Sequence, residues 1–125
     1  MTNDEIVDAY AEAFKSGDTE GVRRLVAPGA VIWHNFDERD RDILASLGEL
    51  DRMREVFSEM HLDIIERFAL EDGIGVRLVM RGTLRADGDA FASHQTLFFR
   101  IHNGWITRIE EYVAQVGSRT GPDTT

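Results

Sequence analysis

Cysteine is absent from this sequence of 125 residues, and proline occurs only twice. The absence of cysteine excludes a disulfide framework, a thiolate nucleophile and a thiolate metal site. Stability must then come from apolar burial, and this length suffices for one sizeable core but not for two. We predict one domain over residues 1–116 and a disordered tail over residues 117–125, which read GSRTGPDTT.

Positive charge is also scarce, because 14 Lys and Arg residues stand against 23 Asp and Glu residues, a net charge of −9. This sign disfavours nucleic acid, whose phosphates need a basic partner, and anionic membranes. No apolar run approaches the ~20 residues of a membrane-spanning helix, and the opening MTNDEIVD is acidic, unlike a signal peptide. We therefore expect a cytoplasmic protein that binds neither nucleic acid nor a membrane.

Cofactor motifs are missing as well. No glycine-rich phosphate loop occurs, and no pair of His, Asp or Glu residues has metal-ligand spacing on one face of a predicted element. We predict a site without a metal ion, a nucleotide or another cofactor.

Apolar residues at helical spacing predict helices in the first half of the chain. The first helix begins at a capping box formed by Thr2 and Glu5 and ends at Gly17. A second, short helix is capped by Asp18 or Thr19 and ends at residues 28–29, which are Pro-Gly.

A third helix is predicted from about Asp42 to Glu59, after an exit loop that reads NFDERDRD. Gly48 weakens this helix and favours its division into two. Its apolar face consists of Leu44, Leu47, Leu50, Met53 and Phe57.

Alternation of apolar and polar residues predicts five strands. They cover residues 30–34, 61–70, 75–85, 91–101 and 105–116. The last four are expected to be antiparallel neighbours, and the helices to cover one face of the sheet, which is an α+β layout. A twisted sheet wrapped around a long helix makes a cone, and the mouth of the cone is a natural pocket for a ligand.

Two segments carry a resemblance to a known family: FKSGDTEGVRRLVAPGAVIWHN near the start and NGWITRIEEYV near the end. In this order of elements they resemble the nuclear transport factor 2-like superfamily over roughly residues 4–115. The superfamily includes SnoaL-like polyketide cyclases, ketosteroid isomerases and limonene-epoxide hydrolases. The resemblance implies an α+β cone, with a strongly curved, mixed or antiparallel sheet around N-terminal helices. Because this fold hosts unrelated chemistries, function must be argued from the site.

The resemblance also assigns positions to the chemistry of ketosteroid isomerases. Their tyrosine oxyanion donor corresponds to Tyr10, their general-base aspartate to His34, and their second donor to Leu97. One donor is kept, the base becomes an imidazole, and the other donor is lost, so we do not expect steroid isomerisation. Of the residues that limonene-epoxide hydrolases use, only the acid on the last strand is kept, as Glu111. Their Asp-Arg-Asp relay cannot form in this chain, so we do not expect that activity.

Strand alternation predicts a pocket independently of the resemblance. On the last strand Glu111 lies between two apolar residues of its own face, and on the first strand His34 shares a face with Ile32. The predicted apolar wall consists of Phe14, Ile32, Met53, Phe57, Leu62, Leu78, Met80, Leu97, Phe99, Ile109 and Val113. Its polar members are Tyr10, His34, Gln95 and Glu111.

These residues predict a proton-transfer site. If Glu111 bonds His34, the imidazole can act as a general base, and Tyr10 or Gln95 can donate a hydrogen bond to a developing enolate. That chemistry suits isomerisation, dehydration or cyclisation of a hydrophobic carbonyl compound. The alternatives are that His34 simply marks where the strand leaves the core, that Glu111 is one of the many surface acids, and that Tyr10 is a core residue whose hydroxyl reaches the rim. The protein would then be a non-catalytic binding module or a scaffold subunit.

Aromatic residues on the other face of the sheet predict contact with a second protein chain. Trp33, Phe98 and Tyr112 alternate away from the pocket. We expect them to form a homodimer through the outer face of the sheet.

Overall fold

A computed structural model describes residues 1–114 of the chain. The predicted tail over residues 117–125 lies outside the described residues, so the domain boundary stays a prediction. Within the described part of the chain, no helix is long and apolar enough to cross a membrane. The elements are the helices α1 (Asn3–Ser16), α2 (Thr19–Arg23) and α3 (Gly48–Val56), a 3₁₀ turn (Leu44–Ser46), and the strands β1 (Val26–His34), β2 (Arg39–Asp42), β3 (Phe57–Leu70), β4 (Gly73–Leu84), β5 (Ala90–His102) and β6 (Trp105–Val113).

The six strands form one curved sheet in the order β2-β1-β6-β5-β4-β3. Strand β1 runs parallel to β6, and every other neighbouring pair is antiparallel. The core lies between the inner face of this sheet and the helices. This mixed α+β architecture confirms the predicted fold class.

The N-terminal helix begins and ends where its caps predict. Thr2 N donates to Glu5 Oε1 at 2.8 Å and Glu5 N donates to Thr2 Oγ1 at 3.1 Å, which is the expected capping box. Gly17 ends α1 with a left-handed φ of 71°, a conformation that favours glycine. The side chain of Asp18 then caps α2 by accepting from Gly21 N at 2.9 Å.

The boundary between α2 and β1 differs from the prediction. Helix α2 already ends at Arg23, and β1 begins at Val26 rather than at residue 30. Pro28 and Gly29 therefore lie inside β1, where the pairing with β6 shifts register. Gly29 has a φ of 82°, so the Pro-Gly pair makes an irregularity in a strand instead of the end of a helix.

The predicted third helix over Asp42–Glu59 is wrong in its bounds. Asp42 belongs to β2, a strand of four exposed residues that is held by pairing with β1 rather than by burial. The helical part consists of the 3₁₀ turn and α3, which begins at the glycine expected to divide it. Phe57 is extended and opens β3 because its backbone pairs with Leu84 and its ring packs against Phe91 at 5.2 Å.

Candidate functional site

A cavity of about 560 Å³ lies between α1, α3 and the inner face of the sheet. The structure places most of the predicted pocket residues on its wall. These are Tyr10, Phe14, Ile32, His34, Met53, Leu62, Leu78, Met80, Gln95, Leu97, Phe99, Glu111 and Val113. Their roles in binding or catalysis stay predictions.

Two of the predicted lining residues lie off this wall. Ile109 faces inward but is fully buried in the core, opposite Ile32 and Phe99 of the neighbouring strands. Phe57 packs against Phe91 and borders a separate cleft of about 220 Å³. Strand alternation predicted the correct face for Ile109 but not its depth, whereas helical spacing misplaced Phe57.

His34 and Glu111 meet on the cavity wall. The two residues are directly opposite each other in the parallel pairing of β1 and β6, and His34 Nε2 lies 3.3 Å from Glu111 Oε1. Their side chains are only 19% and 16% exposed. The ring of Phe36 lies 4.8 Å from the imidazole, and His34 Nδ1 is buried with no hydrogen-bond partner among residues 1–114. An imidazole and a carboxylate are thus brought together against an apolar background.

Tyr10 reaches the same cavity from α1. It lies one helical turn from Ile6 and from Phe14, so this stripe of α1 faces the sheet. Its ring packs edge-on against Phe99 with a centroid distance of 5.4 Å. Burial, and secondly the charge of Glu111, raises the pKa of Tyr10 above its ordinary value. The phenol is therefore protonated near neutral pH and can act as a hydrogen-bond donor.

The family model of the SnoaL-like domain matches residues 7–109. This chain belongs to the SnoaL-like domain family. Tyr10 and His34 lie within the matched residues, and Glu111 lies just beyond them. No curated protein matches the chain.

The SnoaL-like protein is similar to several solved structures. IdmH from Streptomyces antibioticus, described as a candidate polyketide cyclase, is 24% identical with a TM-score of 0.80, and the match covers 90% of this chain and 92% of IdmH. A protein from Pseudomonas putida with the same kind of description is 24% identical with a TM-score of 0.75, over 92% of this chain and 93% of its own. A hypothetical protein from Catenulispora acidiphila with a ketosteroid isomerase-like fold, in complex with trimethylamine, is 19% identical with a TM-score of 0.75, over 86% and 84%. At these identities the likeness establishes the fold alone.

Several wall residues of the SnoaL-like protein were not predicted. One group shares faces with predicted residues of α1 and the strands: Val7, Ala11, Ile64, Val76, Phe91 and Ser93. Strand alternation carried a signal for the strand members, since Ser93 precedes Gln95 by two positions. Val22 also lines the cavity, from α2, where no pocket residue was predicted. A second group lies in the segment after β1, where helical spacing marked Leu47 and Leu50 as apolar but no pattern marked the others: Phe36, Arg41, Ile43, Ser46, Leu47, Glu49 and Leu50.

A charged pair lies beside the site, in the segment that follows β1. Arg41 lines the cavity and donates a hydrogen bond to the carboxylate of Asp37. This hydrogen bond is the main reason that the pKa of Asp37 is below its ordinary value, and the charge of His34 contributes less. In the described part of the chain, no three His, Asp or Glu side chains converge as a metal ion would require.

Proposed function

We propose that this SnoaL-like protein is an enzyme that transfers a proton within a hydrophobic carbonyl compound bound in the cavity. Isomerisation, dehydration and cyclisation are the reaction classes that such a transfer serves. The observation that carries the proposal is the 3.3 Å approach of His34 Nε2 to Glu111 Oε1 on a mainly apolar wall. A few convergent polar groups in an apolar cavity are typical of a small-molecule site.

His34 is the general base in this proposal. The carboxylate of Glu111 favours the tautomer with a proton on Nε2, which leaves the free lone pair on Nδ1. Nδ1 takes a proton from the carbon next to the carbonyl of the ligand, and the electron pair of that C–H bond forms the enolate. The imidazolium then returns the proton to the same carbon or to another one. Glu111 stabilises the imidazolium between these two steps.

Tyr10, on the cavity wall, is the proposed donor to the enolate oxygen. Because burial and Glu111 raise the pKa of Tyr10, its phenol keeps the proton when a neighbouring oxygen becomes negative. A donor aimed at developing charge stabilises the transition state more than the ground state.

Cyclisation has additional support from two of the similar structures. IdmH and the Pseudomonas putida protein are both described as candidate polyketide cyclases. Cyclisation through carbon–carbon bond formation begins with the same proton abstraction next to a carbonyl. The shared fold therefore supports the inclusion of cyclisation among the proposed reactions.

A non-catalytic module that binds a hydrophobic ligand is the second candidate function. The observation that favours it is the burial of His34 Nδ1, since a ligand must reach this nitrogen before it can act as a base. The two functions differ in whether the bound ketone exchanges its protons.

Proton exchange in heavy water provides the test, with β-acetylnaphthalene as the probe ketone. We expect the wild-type protein to accelerate deuteration of the acetyl methyl group by about 10²–10⁴ over buffer, as followed by proton NMR. The variant His34→Ala should exchange at the buffer rate while still unfolding cooperatively. The matched variant His94→Ala, at an exposed position of β5, should keep the wild-type rate.

The outcomes separate the two functions. Exchange by His34→Ala at the wild-type rate would overturn the role of His34. Tight binding of the ketone by the wild-type protein without any exchange would replace the enzyme with the binding module.

We also propose a homodimer through the outer face of the sheet. The aromatic rings on this face form a continuous row: Trp33 to Tyr112 at 5.3 Å, Tyr112 to Phe98 at 5.9 Å and Phe98 to Phe68 at 5.9 Å. Ion pairs border the row, among them Arg100–Glu110 and Arg108–Asp40. An aromatic centre with a charge-paired rim is the usual composition of a protein interface, and the pairing limits repulsion between two acidic copies.

A further inference from the structure

Ser93 is a buried polar residue in the apolar part of the cavity wall. It is 8% exposed, and no other polar or charged residue among residues 1–114 is buried to this extent. It lies on the inner face of β5, opposite Met80 of β4. A hydroxyl group in such surroundings costs free energy unless it has a hydrogen-bond partner. The hydroxyl group of Ser93 therefore needs a hydrogen-bond partner inside the cavity wall.

Gln95 meets this need only in part, through one long hydrogen bond. Its Nε2 donates to Ser93 Oγ at 3.4 Å, which is longer than the usual ~2.9–3.0 Å. No other hydrogen bond joins either side chain to the described residues. The hydroxyl proton of Ser93, the amide oxygen of Gln95 and one amide N–H are therefore available, and both residues line the cavity.

The pair lies at a distance from the proposed catalytic residues. Leu97 of β5 is opposite Glu111 of β6, and Gln95 and Ser93 follow two and four positions farther along the strand. At about 3.4 Å per residue these positions are roughly 7 Å and 14 Å beyond the level of Glu111. The neighbouring wall positions at the two levels are apolar, since Leu97 is opposite Glu111 and Val113 is opposite Gln95.

We propose that Ser93 and Gln95 form a second binding station, which selects ligands with two oxygen functions. The carbonyl that reacts lies at His34, and a hydroxyl or carbonyl at the remote end of an apolar skeleton bonds to this pair. The inference rests on the proposed function, which places the first group. A ligand that lacks the remote oxygen leaves Ser93 and Gln95 unsatisfied and binds more weakly. Both residues position the ligand and take no part in the proton transfer.

Two probe ketones of the same shape test the station: β-acetylnaphthalene and its derivative with a hydroxyl group on the distal ring. Calorimetric titration should show that the wild-type protein binds the hydroxy ketone about tenfold more tightly. In the variant Ser93→Ala/Gln95→Leu this ratio should fall to about one, because the hydroxy ketone loses its partners and the simple ketone no longer leaves two polar groups unsatisfied. Gln95→Leu alone should give an intermediate ratio, which keeps the test valid if the double variant does not fold.

The controls separate this inference from the proposed function. Thr96→Val, on the outer face of the same strand, should keep the wild-type ratio. His34→Ala should also keep it, although this variant loses proton exchange. Preserved selectivity together with exchange by His34→Ala would overturn the proposed base and leave the station standing. In the wild-type protein, equal affinities for the two ketones, or no binding of either, would overturn the station. A tenfold affinity ratio in the double variant, or loss of the ratio in His34→Ala, would overturn it as well.

Discussion

Asn35 and Val113 are joined by two hydrogen bonds that continue the pairing of a strand. Asn35 Nδ2 donates to Val113 O at 3.2 Å, and Val113 N donates to Asn35 Oδ1 at 2.9 Å. The backbone N–H of Asn35 also bonds the carbonyl oxygen of Glu111 at 3.1 Å. The side chain thus extends the contact of β1 and β6 beyond His34 and holds His34 opposite Glu111.

Replacing Asn35 with alanine removes both side-chain bonds and leaves two backbone groups of Val113 without these partners. We expect the free energy of unfolding, measured by urea denaturation, to fall by about 2 kcal/mol. The rate of methyl exchange should fall as well, because His34 and Glu111 lose their fixed register. Asn35→Asp keeps the acceptor for Val113 N and should lose less stability. Wild-type stability in Asn35→Ala would contradict this role.

Alternation along strands predicted much of the site because each strand buries one face. On β1 and β6 it placed His34 and Glu111 toward the same interior, where the structure has them 3.3 Å apart. The same pattern predicted the positions of Leu78 and Leu97 on neighbouring strands. The pairing partners of these strands were not contained in the pattern, since parallel pairing of β1 with β6 joins segments far apart in the sequence.

The segment between β1 and β3 could not be predicted in the same way. Strand β2 consists of Arg39–Asp42, and all four side chains are exposed, so no burial pattern marks it. Phe57 continued the spacing of the preceding helix, but its packing against Phe91 makes it extended. Tertiary contacts override local spacing here, and this segment supplies wall residues that the sequence missed.

Tyr10→Phe isolates the proposed hydrogen bond to the enolate. The change keeps the ring contact with Phe99 and removes only the hydroxyl group. We expect the exchange rate at saturating β-acetylnaphthalene to fall about 100-fold with little change in the half-saturating concentration. Phe14→Leu alters the same stripe of α1 without removing a donor, and it should affect mainly the binding of the ketone. A wild-type exchange rate in Tyr10→Phe would overturn the donor role of Tyr10.

The raised pKa of Tyr10 also predicts a loss of stability at high pH. Because burial and Glu111 raise the pKa of Tyr10 in the folded chain, the unfolded chain releases this proton at a lower pH. The stabilising effect is complete below the unfolded value of about 10 and is lost as the pH rises above it. The free energy of unfolding should therefore decrease above about pH 10, and less steeply in Tyr10→Phe. Identical slopes for the two proteins in guanidinium titrations would be evidence against a perturbed phenol.

The lowered pKa of Glu110 predicts a loss of stability at low pH. Burial tends to raise its pKa, but hydrogen bonds from Arg108 at 2.9 Å and Arg100 at 3.0 Å outweigh this effect, so the pKa of Glu110 is below its ordinary value. Such a carboxyl stabilises the fold above its unfolded value of about 4.3, and the effect is lost as the pH falls through the folded value. Urea titrations from about pH 5 to pH 3 should show decreasing stability, with a shallower slope in Glu110→Gln. A wild-type slope in Glu110→Gln would contradict this role of Glu110.

The aromatic row of the outer sheet face predicts the oligomeric state. Tyr112 is 45% exposed in the single chain, between Trp33 and Phe98, so a charged residue there disturbs an interface more than a core. We expect the wild-type protein to sediment as a dimer in analytical ultracentrifugation and Tyr112→Lys to sediment as a folded monomer. Val56→Lys, at an exposed apolar position at the end of α3, should remain a dimer. A wild-type monomer at all concentrations, or a dimeric Tyr112→Lys, would overturn the homodimer through this face.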